Sequence, residues 1–191
     1  MCRERVFRDE MSKQETVRQQ AGTVEENALR MDAGKAEQVI DALNTDLADT
    51  YVAYHQIKKH HWNVEGAEFR DLHVYLGEVA ADLEEGADEF AERAQALGGV
   101  PLSGGATYEA HATVEPEGDD VYDVRTSIAN DMEMLGDMIE SLREHIAMVE
   151  DMGDYTTGEI LRDNLELVEE HAHHFEHYLE DDTLVLESAT Q

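Results

Sequence analysis

Ten histidines lie in a chain that carries 45 acidic residues and a single cysteine, Cys2. Imidazole together with carboxylate is a donor set suited to iron, manganese or zinc. With one cysteine, a thiolate site within the chain is excluded. Asp88 and Glu92 are four residues apart, so on a helix their carboxylates share one face. Glu84 and Glu85 fall within roughly 60° of Asp88 at about 100° per residue, which gathers like charge that a cation or strong solvation must offset. His61 and His73 stand on either side of a turn. His173 and His177 are spaced i, i+4 and could share an ion; exposed or hydrogen-bonded histidines on an acidic helix are the plainer alternative. A di-iron bundle commonly uses Glu-x-x-His on two helices and a Glu from each of two others. Glu170-x-x-His173 is one well-placed match, and a matching second copy is missing. A di-iron centre built within one chain is therefore disfavoured. Spacing alone leaves open whether His61, His73, Asp88 and Glu92 meet or remain caps and solvated charge.

Helices must position these side chains. Ala, Glu, Leu, Asp and Met dominate, and only two prolines occur. The first helix starts at Asp32 as N-cap and carries Val39, Leu43, Leu47, Tyr51 and Tyr54 at steps of three or four, running to about Trp62. The second carries Phe69, Leu72, Leu76, Val79, Leu83, Phe90, Ala94 and Leu97, with Ala87 at the remaining step. Gly98-Gly99 and then Pro101 stop it. A connector over residues 100–120 holds a short helix near 107–112. The third long helix begins after Asp119-Asp120, buries Val121, Val124, Ile128, Leu135, Leu142, Ile146 and Val149, and breaks at Gly153. The fourth spans about 156–178, with Leu161, Leu165, Val168, Ala172, Phe175 and Leu179 inward. The pattern predicts an all-α four-helix bundle with one long crossover between the second and third helices, which is the ferritin-like topology.

The expected organisation is a mobile N-terminal tail over 1–30, the bundle over 31–180 and a short acidic tail over 181–191. Met11 offers a second start of translation. The first ten residues lack the apolar stretch of a signal peptide, and no apolar run approaches the ~18 residues of a membrane span. A cytoplasmic location is the default expectation. Fourteen basic residues against 45 acids give a formal charge of −31. Such a chain repels itself unless salt screens it; the Debye length is about 3 Å at 1 M. The composition reads as salt-adapted. It also argues against generic DNA binding, which depends on neutralising phosphates with Lys and Arg.

From residue 60 the sequence runs His-His-Trp, places a second His twelve residues after His61, continues to Asp88-Glu-x-x-Glu92-Arg93 and ends Leu97-Gly-Gly. This resembles the signature region of the Dps (DNA protection during starvation) family. The likeness extends over about residues 32–179, includes Gly153-Asp-x-x-Thr157, and is greatest to the acidic DpsA branch of halophilic archaea. What the resemblance implies is a ferroxidase site with His61 and His73 from one subunit and Asp88 and Glu92 from its neighbour across a two-fold interface. That would account for the missing second Glu-x-x-His. Trp62 matches the tryptophan beside the site; the plainer reading is a core aromatic, and the two are compatible. Some relatives carry an extra acid where this chain has Gly77, which would leave a second iron weakly held. Where the family often has Lys-His-x-Trp-Met, this chain has a histidine-rich run, so His173 and His177 become a candidate auxiliary iron site. Glu150, Asp154 and Glu159 match acids of an iron-admitting pore, one further pore acid being replaced by Tyr155; Glu84 and Glu85 are candidates for interior nucleation.

The function so implied is iron storage and detoxification. Fe(II) is oxidised at the shared site, by hydrogen peroxide according to the resemblance, and ferric oxide is deposited inside a hollow homododecamer. The alternative is a DNA-compacting structural protein of the same family.

Overall fold

The computed structural model describes residues 17–180. Four long helices, α1 (Ala33–Asn63), α2 (Phe69–Ala96), α4 (Val124–Asp151) and α5 (Tyr155–Leu179), form the bundle, and α3 (Gly105–His111) lies within the crossover. The described residues contain no strand, and none of their helices is long and apolar enough to cross a membrane. α1 lies along α2, and α4 along α5; α3 leans on α1.

The stripes read from the sequence form the core. Val39, Leu43, Leu47, Leu72, Leu76, Val79, Phe90, Leu135, Val149, Leu161 and Phe175 are buried. Asp32 caps α1 as expected, its carboxylate accepting from the amides of Gly34 and Lys35. Three positions differ. α4 begins at Val124 with Asp123 as N-cap, three residues beyond the expected start, so Val121 precedes the helix and is exposed. Phe69 opens α2 on its outer side and is also exposed. Trp62 is 67 % exposed in the single chain, so it lies outside the core of its own subunit.

The crossover is anchored in register along α1. Leu102 donates its amide to Asn44, Thr113 and Val114 to the buried Asp49, and Glu117 to Gln56. Lys59 then binds the carbonyls of Gly118 and Asp120. From Asn44 to Lys59 is fifteen residues, about 22 Å of helix, so the connector travels much of the bundle's length and delivers the chain to the far end.

The described part of the expected N-terminal tail is held at two points. Gln19 donates its side chain and Glu25 its amide to the carbonyl of Gly98. Gly98 has φ +92°, and a Cβ there would lie 2.2 Å from the Glu25 carbonyl oxygen, so this contact requires glycine. Residues 1–16 and 181–191, with Cys2, Met11 and most of both expected tails, lie outside the described residues.

Candidate metal centre

His61 lies in the last turn of α1 and His73 in the second turn of α2. The intervening turn, with Gly66 at φ +102°, folds the helices back so that the two rings stack at 3.9 Å between centroids. His61 Nδ1 is 2.7 Å from the carbonyl oxygen of His73, and His73 Nδ1 is 2.8 Å from that of His61. A carbonyl can only accept, so both Nδ1 atoms carry the proton. In the neutral tautomer so fixed, Nε2 of each ring is the lone-pair donor, and the two rings stack at an interplanar angle of 18°. Burial holds His61 below the ordinary imidazole value, which keeps it neutral near pH 7. Metal-binding histidines commonly donate their other nitrogen to a backbone carbonyl, which fixes tautomer and orientation. Here that orientation exists before any ion arrives.

Gly77 lies against the His61 ring. A Cβ built on it would sit 3.2 Å from His61 Cε1 and 3.3 Å from Nδ1.

Asp88 and Glu92 are exposed on one face of α2. They are not near the histidines of their own chain: His73 to Asp88 is fifteen residues, about 22 Å of helix. Among the described residues no group of three or more His, Cys, Asp or Glu side chains is placed to hold a metal ion. The structure thus brings His61 and His73 together, brings Asp88 and Glu92 together, and leaves the pairs apart.

The other candidates separate clearly. Glu84 and Glu85 are exposed on α2. Glu150 and Glu159 are exposed and both pair with Arg162. Asp154 departs from the pore expectation: it is buried at the start of α5, where its carboxylate accepts from Thr157 and from Arg93 Nη2 at 2.8 Å. Its lone pairs serve as a helix cap and a buried ion pair, just after Gly153 at φ +79°. His173 and His177 are exposed with their Nε2 atoms 3.1 Å apart, close enough to converge on one ion or share one proton.

Sequence reasoning missed a buried network next to the site. His60, one residue before the candidate ligand, turns inward. Its Nδ1 donates to Asp131 at 2.7 Å and its Nε2 to Glu117 at 2.6 Å. With both carboxylates ionised, both nitrogens carry protons and His60 is an imidazolium. Burial pulls it down, but Asp131 and Glu117 outweigh that and hold it above the ordinary value. The network ties α1, α4 and the crossover together behind His61. The available signal was Asp131 itself, an acid between Ile128 and Leu135 on an apolar stripe.

Comparison with known proteins places this architecture. A family model for the ferritin-like domain matches residues 40–185. The chain is 60% identical over 182 residues to the DNA protection during starvation protein of Halobacterium salinarum, covering 95% of this chain and 100% of that one. The crystal structure of an archaeal Dps homologue from Halobacterium salinarum superposes with TM-score 0.88 at 60% identity, over 93% of this chain and 99% of that one. A Dps protein from Vibrio cholerae, described as a member of a broad superfamily of ferritin-like diiron-carboxylate proteins, superposes with TM-score 0.76 at 27% identity, over 81% of this chain and 96% of that one.

Proposed function

The chain belongs to the Dps branch of the ferritin-like family, and from that premise we propose that it oxidises Fe(II) at a site shared by two subunits and stores the ferric product inside a homo-oligomeric shell. His61 and His73 of one subunit supply two bare Nε2 donors. Asp88 and Glu92 of the neighbour supply carboxylates, which are harder ligands and favour Fe(III) over Fe(II). The reading rests above all on the reciprocal His61–His73 hydrogen bonds, which fix both rings in the ligating tautomer. The 22 Å between the two halves within one chain gives the reason for sharing. Exposed Trp62, beside His61, suits a place under a neighbouring subunit.

Hydrogen peroxide is the proposed oxidant and a dodecamer the proposed shell, both by family resemblance. Glu150 and Glu159 are the proposed acids of the inlet, where negative rings concentrate Fe(II) by focusing the field. Asp154 caps α5 between them in the chain, bound to Arg93 and Thr157. Glu84 and Glu85 are proposed as nucleation acids, and His173 with His177 as an auxiliary site. The proposed compartment is the cytoplasm.

DNA protection is named for the Halobacterium relative. With −31 formal charges we assign that protection to iron chemistry rather than to DNA contact. The deciding experiment is the double variant Asp88→Ala with Glu92→Ala. It should assemble normally and lose rapid peroxide-dependent iron oxidation; wild-type rates in the assembled variant would refute the site.

A further inference from the structure

A cavity of about 420 Å³ lies at the end of the bundle where α4 begins. Its apolar lining is Val64 from the turn between α1 and α2, Leu76 from α2, and Val121, Tyr122, Val124 and Ile128 from the approach to α4 and its first turns. Leu76 and Ile128 are buried, whereas Val121 and Tyr122 are 62 % and 40 % exposed. The polar groups beside the cavity are already engaged. His60 is held by Asp131 and Glu117. Lys59 is held by Glu117 and the carbonyls of Gly118 and Asp120. Asn63 donates to the carbonyl of Lys59. What remains for an occupant is apolar surface. Its volume falls within the roughly 300–1,000 Å³ of pockets that take a small group, and large apolar residues left open beside such a pocket mark a contact surface.

The chain itself carries a segment of matching chemistry within reach. α5 ends at Leu179, whose carbonyl accepts from Arg125 Nη2. Arg125 directly follows Val124, so the exit of α5 lies within one arginine side chain of the cavity wall. Glu180 leaves the helix with extended backbone, at φ −60° and ψ 137°. Asp181, Asp182 and Thr183 follow, and then Leu184-Val185-Leu186, the only large apolar residues after Leu179. The four residues 180–183 span about 13 Å when extended, enough to bring Leu184 to the cavity. The ferritin-like match also continues to residue 185, past the end of α5. The other terminal segment starts from a worse place. It joins the described chain at Val17, and Gln19 is bound at Gly98, about 30 Å along α2 from Leu76.

We propose that Leu184, Val185 and Leu186 seat in this cavity of their own subunit. The short reach from Leu179 selects the same subunit over a neighbour. The seated segment takes the apolar surface of Val121 and Tyr122 out of water. Asn63, Val64, Glu65 and Gly66 also line the cavity, so the segment clamps the turn between α1 and α2 against the start of α4.

The test uses the full-length assembled protein without iron. In a Cys2→Ser background, Tyr122→Cys is paired in turn with Leu184→Cys, Val185→Cys and Leu186→Cys and oxidised with diamide. A disulfide forms only where the Cα atoms approach within about 7 Å. At least one pair should close within a chain, seen as a linked peptide by mass spectrometry with no dimer on a non-reducing gel. A bond between chains would seat the segment on a neighbour and overturn the proposal, as would no bond in any pair. The second measurement is hydrogen–deuterium exchange of Leu184→Ser with Leu186→Ser. Peptides covering 63–69 and 121–127 should exchange about tenfold faster than in wild type, and those covering 151–154, at the other end of the bundle, should not change. Unchanged exchange at 63–69 and 121–127, or equal acceleration at both ends, overturns the clamp.

Discussion

His61 and His73 hold each other through the backbone. Each ring donates its Nδ1 proton to the other's carbonyl oxygen, at 2.7 and 2.8 Å, and the rings stack 3.9 Å apart. The arrangement couples the end of α1 to the start of α2. It also leaves both Nε2 atoms bare without help from a metal, so the cost of orienting the ligands is met on folding rather than on binding.

Gly77 is the first place to perturb that pair. A Cβ there meets the His61 ring at 3.2 Å, so the ring must shift by a few tenths of an ångström while its Nδ1 is held to the His73 carbonyl. Gly77→Ala should fold and assemble, with α2 propensity slightly improved. Its Fe(II) affinity, measured anaerobically by titration, should fall by roughly 10–100-fold, the usual effect of disturbing a ligand's supporting hydrogen bond.

The network behind the site should matter for stability rather than chemistry. The Asp131 side chain is fully buried against His60. Asp131→Ala leaves a buried imidazolium short of one partner, which costs about 3–5 kcal/mol. Thermal unfolding at fixed salt and protein concentration should show a clearly lower midpoint.

Stability should fall as pH rises above neutrality. His145 is pulled down by burial but raised further by Asp46, so its net position is above 6.5, as for His60. The folded state binds these protons more tightly than the unfolded state. Their contribution is full below pH 6.5 and is lost as pH climbs through the folded values. Burial raises Asp46 above 3.8, which acts with the same sign at lower pH. His145→Gln should flatten the slope of the unfolding midpoint against pH above 6.5.

DNA should not be retarded by the assembled protein. The full chain carries a formal charge of −31, so the family's phosphate-contacting mode lacks cations. A gel-retardation series should show no complex at any salt; a complex that weakens steeply with salt would restore the DNA-binding alternative.

The bundle was legible because apolar residues recur at helical steps and each turn is marked by Gly or by an Asp cap; Asp32 and Gly98 are read directly. The site was legible in its residue types but not in its pairing. His61 and His73 are joined by backbone carbonyls, which leave no trace in side-chain spacing. His60 and Asp131 were missed for a related reason: adjacent helical residues point about 100° apart, so His60 and His61 look alike in sequence yet one faces the core and one the site. Val121 misled because an apolar residue just ahead of a helix continues the stripe without belonging to it. Asp154 was matched by position, and only the fold reveals that its carboxylate serves Arg93 and Thr157.

The central claim, that each iron site takes histidines from one subunit and carboxylates from another, is tested most directly by complementation. One chain carries His61→Ala with His73→Ala, the other Asp88→Ala with Glu92→Ala. Each alone should assemble and be inactive. Unfolded together and co-assembled in equal amounts, they should recover about a quarter of the wild-type iron-oxidation rate, since half of random pairs are mixed and a mixed pair has one complete site of two. No recovery in verified mixed assemblies would contradict the shared site.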